Sequence, residues 1–371
     1  MPRTVGTPNT HEDPESGRAC GAELARISPL HPDSTQVLLR LAIARALLGH
    51  RPVEECTPKE ARSNYRQLLE SSKVSVPELP RVENLSCPGP GGDIGLRYYQ
   101  PRECTPAEHL PVMLFLHGGG GVIGDLETHD GLCRALADAG GFSVIAVDYR
   151  LAPEHPFPAA IEDAESALAW AIYGDHELPI DRKRVVVAGD SFGANLAAVL
   201  CLIAKDRGLA LAGQLLMCPS FGFGSAKELA PEFQDGPLLT RAAQAWFNEQ
   251  YLAGRAATSD WRLCAPVASD HEDLPPAFIL TAGADPLQPE GAEYAEQLSA
   301  AGNIAIHRCY PGMLHGFMMM GPKVRSAETA LAEVAEFAAV VLARPTRGSE
   351  FRTPWPTGYG PLPRAESSLA G

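Results

Sequence analysis

Long apolar runs are missing from this chain, and with them any stretch of about 20 mostly apolar residues that could cross a bilayer as a helix. The opening stretch MPRTVGTPNTHEDPESGRAC has no apolar core behind its arginine, so it does not read as a secretory leader. Basic runs are missing too. The 371 residues carry a formal net charge of -14, which argues against nucleic acid as a partner. The nine cysteines are scattered from Cys20 to Cys309 without close pairs, spelling neither a disulfide framework nor a zinc site. Small buried thiols in a reducing, cytoplasmic compartment are the expectation. Aromatic residues are scarce at 7%, so a local concentration of them carries information. No internal repeat is visible.

What is present is a soluble globular composition, 45% hydrophobic and 20% charged, on a chain long enough to bury a large core. Residues 1–27 are polar and rich in Pro, Gly, Glu and Thr, as in a flexible arm, and 345–371 have the same character. Residues 28–80 hold two amphipathic helix patterns, 33–48 and 57–72, the second opening on Thr-Pro. The segments RVENLSC and IGLRYYQ read as strands joined by a turn, PGPGGD. Six apolar strands follow, LPVMLFLH, SVIAVDYR, RVVVAGD, GQLLMCP, AFILTAG and IAIHRCY, with helix patterns at 128–139, 159–173, 192–206, 289–301 and 326–342. This alternation predicts an α/β fold with a mostly parallel sheet covered on both faces. The core is expected over 81–220 and 274–344. Between these, residues 221–273 interrupt the rhythm with Phe233, Trp246, Phe247, Tyr251 and Trp261. Such an excursion suits a lid or substrate wall, with Trp246, Phe247 and Tyr251 as pocket candidates.

The segment RVVVAGDSFGANLAAVL sets Ser191 between Gly189 and Gly193 at a strand-to-helix corner. A serine there either caps the helix or sits on the strained elbow of a nucleophile, where only side-chain-free neighbours let the two backbones approach. A nucleophilic serine needs a base, a carboxylate to orient the base, and N–H donors for the oxyanion. His315, between Gly312 and Gly316 in YPGMLHGF, follows the last strand and is the candidate base. His307 lies within that strand and reads as a sheet residue. Asp285 follows AFILTAG and is the candidate carboxylate, the alternative being an Asx turn before Pro286. The order Ser191, Asp285, His315 is the Ser…Asp…His order of one class of hydrolases.

Gly118, Gly119 and Gly120, at the end of LPVMLFLH, can bring backbone N–H groups to a substrate oxygen, and Phe192 N–H is the other candidate donor. Gly119 to Gly124 also spells G-x-G-x-x-G, with Asp148 ending the next strand. The next helix pattern begins only near Thr128, so no helix terminus is available for a pyrophosphate at the second glycine. His117, Asp125, Glu127 and His129 do not form the histidine pair of a helical metal site, and no metal is expected.

Taken together and in order, HGGGGVIGDLETHD, VDYRLAPEHPFPAA, GDSFGANLAA, DPLQPEG and GMLHGF resemble the motifs of the bacterial hormone-sensitive-lipase-like esterases of the α/β-hydrolase superfamily. The resemblance spans roughly residues 28–343. It implies an α/β-hydrolase fold with an eight-stranded, mostly parallel sheet, and a helical cap built from 28–80 and 221–273. It also implies hydrolysis of a small ester without a cofactor. Ser191 would be the nucleophile, Asp285 the orienting acid and His315 the base, with Gly119, Gly120 and Phe192 as oxyanion donors and Gly118 shaping the loop. The expected substrates are short- to medium-chain acyl esters. A non-catalytic small-molecule binder on the same scaffold, or an acyltransferase or amidase with the same residues, are the alternatives. A second copy of the chain is the one protein partner left open. Three positions depart from the family's pattern: Phe192 replaces a small residue, Gly121 a frequent aromatic, and Pro289 a frequent aspartate.

Overall fold

The structure is a computed structural model that describes residues 29–71, 76–105, 107–222, 235–255 and 260–343. The expected arm over 1–27, the tail over 345–371 and Phe233 lie outside the described residues. Two helices come first, α1 (Pro32–Leu48) and α2 (Pro58–Ser71). Each carries proline in its first turn, where the missing N–H costs nothing. The hairpin β1 (Arg81–Gly89) and β2 (Gly92–Gln100) follows. Its ladder continues through Pro88–Asp93 and Gly89–Gly92, so most of PGPGGD is strand, where the sequence reading expected turn.

The alternating part then runs β3 (Leu110–Leu116), α3 (Asp130–Gly140), β4 (Ser143–Asp148), α4 (Ala159–Tyr173), β5 (Ile180–Asp190), α5 (Phe192–Asp206) and β6 (Gly213–Met217). After α6 (Arg241–Leu252) come β7 (Ala277–Ala282), α7 (Gln288–Ala300), β8 (Ala305–Tyr310) and α8 (Arg325–Leu342). The eight strands form one sheet in the order β1-β2-β4-β3-β5-β6-β7-β8. β1, β2 and β4 pair antiparallel and the remaining neighbours are parallel. Apolar side chains of α4, α5 and α7 cover one face, and those of α3 and α8 the other. Burial on both faces explains why the central strands are apolar almost throughout. α5 is enclosed over nearly its whole length, from Phe192 to Ala204.

A parallel sheet aligns the carboxyl ends of its strands, and the loops leaving those ends form one crevice. Ser191 leaves β5, Asp285 follows β7, His315 follows β8, and the glycine loop leaves β3.

Candidate active site

Ser191 adopts φ 53°, a left-handed conformation that costs a non-glycine residue about 1–3 kcal/mol. Its side chain makes no capping bond to α5, which removes the helix-cap reading. The surrounding glycines make the turn possible: a Cβ on Gly193 would run into the carbonyl oxygens of Leu116 and His117. Ser191 N–H donates to Met217 O (2.8 Å), and Ser191 O accepts from Ser220 N–H (3.1 Å). The strained corner is therefore tied to the end of β6 and to the loop that follows it.

Ser191 Oγ lies 3.0 Å from His315 Nε2, and His315 Nδ1 lies 2.6 Å from Asp285 Oδ2. The other carboxylate oxygen, Asp285 Oδ1, accepts Leu287 N–H at 3.0 Å. Asp285 thus makes both the Asx turn and the contact to histidine, one on each oxygen. Burial by itself would push the His315 imidazole down, but the adjacent Asp285 charge and hydrogen bond outweigh it, and the net shift is upward. His307 sits on β8, where Nε2 and Thr281 Oγ1 are 2.8 Å apart.

Gly118 N–H donates to Asp190 Oδ1 (2.9 Å), which fastens the glycine loop to the residue before Ser191. Asp190 is buried and faces His129 Nε2 at 3.3 Å. Burial raises its carboxyl, yet His129, His117 and the Gly118 N–H together hold it below the ordinary value. His117 stacks on Tyr149 with ring centroids 4.2 Å apart, and burial with the neighbouring His129 pushes its imidazole down to about 4. Gly119, Gly120 and Gly121 all have positive φ.

Of the three aromatic pocket candidates, Phe247 reaches the glycine loop directly, since its ring atoms are the nearest to a Cβ placed on Gly120. Trp246 braces it edge-to-face at 5.1 Å. Tyr251 is not an open wall: its ring is buried beneath the loop, 4.8 Å from the Phe192 ring and 6.0 Å from that of Phe157. The loop is also held from α2. Arg62 donates to Val122 O and Ala152 O, each at 2.8 Å, and pairs with Glu154. Tyr65 OH contacts Met319 Sδ (3.6 Å), beyond the histidine.

Sequence reasoning missed Asp190 and Cys218, whereas Glu290 was weighed as the rival to Asp285 for the orienting carboxylate and read instead as a residue opening the next helix. Asp190 had a signal, its place directly before Ser191. Cys218 had none. It follows β6 with φ 45°, and its sulfur, Asp285 and His315 offer ligand-type atoms all within 4.8 Å of one another. Burial and the Asp285 charge keep its thiol well above the ordinary value. Glu290, near the start of α7, accepts Phe221 N–H at 2.5 Å.

The family model for the alpha/beta hydrolase fold matches residues 113–319. Esterase LipI of Mycobacterium tuberculosis is 42% identical over 245 residues, 65% of this chain and 76% of its own length. Ethyl acetate hydrolase of Pseudomonas putida is 34% identical over 312 residues, 83% of this chain and 98% of its own. Among solved structures, a hyperthermophilic esterase from the archaeon Pyrobaculum calidifontis superposes with a TM-score of 0.77 at 36% identity, covering 85% of this chain and 100% of that one.

Proposed function

This chain belongs to the α/β-hydrolase fold family and is a carboxylic ester hydrolase, and we propose that Ser191, His315 and Asp285 carry its reaction through an acyl-enzyme. The observation that carries this reading is the continuous line from Ser191 Oγ through the imidazole to Asp285, with contacts of 3.0 and 2.6 Å. Ser191 Oγ attacks the ester carbonyl while His315 Nε2 takes its proton. Asp285 holds the imidazole by Nδ1–H and stabilises the imidazolium. The N–H groups of Gly119, Gly120 and Phe192 receive the oxyanion, and Gly118, bonded to Asp190, shapes their loop. His315 returns the proton to the departing alcohol, leaving the acyl group on Ser191. A water deprotonated by the same nitrogen then releases the acid. Short- to medium-chain acyl esters are the proposed substrates, with Phe247 walling the acyl side, supported by its contact with Gly120.

Among the described residues no helix is long and apolar enough to cross a membrane. A cytoplasmic location is supported by the free thiols among those residues, six of them buried. Ser191→Ala should retain the circular dichroism spectrum and reduce p-nitrophenyl butyrate hydrolysis on the order of 10⁶-fold, the scale of nucleophile loss in subtilisin. Near-wild-type turnover would exclude this mechanism.

A further inference from the structure

His129 stands at the N-cap of α3, where a side chain ordinarily accepts an N–H of the first helical turn. It makes no such bond, and it is 1% exposed. A buried imidazole not used to start its helix must be satisfied elsewhere, because an unpaired polar ring is costly to bury. One edge goes to its own turn: Nδ1 lies 2.9 Å from Thr128 Oγ1. That hydroxyl is itself held by Asp125, whose N–H donates to it (2.8 Å) and whose carbonyl oxygen accepts from it (2.9 Å). The other edge, Nε2, faces Asp190 Oδ1 at 3.3 Å. That contact is long and poorly aligned for a hydrogen bond, so its attraction is chiefly electrostatic, which a buried setting strengthens.

Asp190 is buried as well, and its Oδ1 is the atom that accepts Gly118 N–H. Burial works against the charge on this carboxyl, and His129 is the largest of the influences that bring it back below its ordinary value. His117 is the neighbouring ring, 5.3 Å from His129 between centroids, but its Nδ1 lies against Gly118 O (2.8 Å) and Tyr149 OH (3.2 Å). The contacts thus run from the turn before α3 through His129 and Asp190 to the first N–H of the glycine loop. Packing at the far end is close, since a Cβ on Gly118 would collide with Asp190 Oδ2.

We propose that His129 is a positioning residue of this hydrolase: it holds the Asp190 carboxylate against Gly118 N–H, and thereby sets where the N–H groups of Gly119 and Gly120 meet the oxyanion. The inference rests on the ester-hydrolase reading and its oxyanion loop. His129 touches no reacting atom. Its effect therefore falls on the stage at which charge develops on the substrate oxygen, and little on binding of the neutral ester. Without the imidazole, the buried Asp190 would take up a proton or turn toward another donor. Gly118 N–H would then lose its charged acceptor, and the loop its fixed position. A purely structural role would instead lower stability and leave the turnover of each folded molecule unchanged.

The experiment measures kcat and KM for p-nitrophenyl butyrate, with inhibition by two ligands, for the full chain and for His129→Ala and His129→Gln, the fold checked by circular dichroism. One ligand is a trifluoromethyl ketone, which Ser191 attacks to give a hemiketal oxyanion. The other is the corresponding secondary alcohol, which fills the same space and forms no oxyanion. His129→Ala should lower kcat by about tenfold to a hundredfold with KM within about threefold. Its affinity for the ketone should fall by a comparable factor, while its affinity for the alcohol stays as in wild type. His129→Gln, whose amide N–H can reach where Nε2 stands, should recover most of the loss. Where His129→Ala does not fold, Thr128→Val decides, since it frees the other edge of the ring and should lower kcat and ketone affinity together, by about threefold to tenfold. Unchanged kcat in the deciding variant, equal losses of ketone and alcohol affinity, or no recovery in His129→Gln overturns the inference and leaves the ester-hydrolase reading standing. Absence of wild-type hydrolysis would remove that reading, and this inference with it.

Discussion

Asp285 serves two partners with two oxygens, Leu287 N–H and His315 Nδ1, and this division lets a single carboxylate both fix its loop and hold the His315 imidazole. Because Asp285 outweighs burial and raises the His315 imidazole, the acidic limb of kcat/KM should lie above the ordinary imidazole value. Asp285→Asn removes that charge, so the limb should move to lower pH as turnover falls sharply. Glu290→Gln should cost far less, because Glu290 is spent on Phe221 N–H and does not reach the imidazole. A pH profile of all three proteins with a soluble ester checks the ordering. A second residue-scale expectation concerns Phe192. A Cβ on Gly121 would lie 2.9 Å from Phe192 Cζ and 3.0 Å from Tyr251 Cδ2, so the Phe192 ring fills the space beside the glycine. Phe192→Ala should therefore open a cavity and destabilise by about 3–5 kcal/mol. Gly121→Phe alone should clash, and the double variant should recover only part of the loss. Gly121 has φ 71°, and that backbone strain persists whatever room the ring leaves. A double-mutant cycle on melting temperature measures the coupling.

At the scale of elements, the glycine loop is clamped between the core and the helices α2 and α6. α2 holds it from outside through Arg62, and α6 presses Phe247 on Gly120. Phe157 N–H donates to Tyr251 O (3.0 Å), and Thr240 caps α6 by accepting Ala243 N–H (3.1 Å). The reacting groups leave the sheet, so changing α6 should alter which acyl chains fit without removing the chemistry. Phe247→Ala should shift the preferred p-nitrophenyl ester toward longer chains while keeping turnover of the acetate within about tenfold. Trp246→Ala, one ring further from the loop, should shift it less. An unchanged chain-length profile in both variants would make α6 a purely structural support.

For the whole molecule, Glu290 makes stability depend on pH. Desolvation, opposed by the bond from Phe221 N–H and reinforced by the nearby Asp285 charge, pushes its carboxyl up to about 7 from the ordinary glutamate range. A carboxyl whose pKa is higher in the folded state favours folding while protonated. The contribution is complete below the unfolded value and is lost as pH rises through the folded one. Wild type should therefore lose melting temperature between about pH 4.5 and 7 through this group, and Glu290→Gln should flatten that decline. A thermal scan across the interval reads the difference directly.

The sequence by itself determined the sheet's composition, because strands buried on both faces must be apolar throughout, and it determined the elbow, because only glycine fits at the position of Gly193. It also pointed to Ser191, Asp285 and His315 as candidates, since each lies at or shortly beyond the carboxyl end of a strand and a parallel sheet gathers such ends into one crevice. Only the tertiary structure decided which oxygen of Asp285 meets the imidazole, that Tyr251 lies beneath the glycine loop, and that Asp190 ties this loop to the corner at Ser191. These depend on contacts between residues far apart in sequence, which no local pattern of apolar and polar positions encodes. Cys218 illustrates the limit: nothing in GQLLMCP marks a cysteine beside Asp285 and His315, and the pairing of β6 with β7 puts it there. The helix α1 is the converse case. Its apolar residues were legible, but which of them face the core was settled by how the helix docks on the sheet layer.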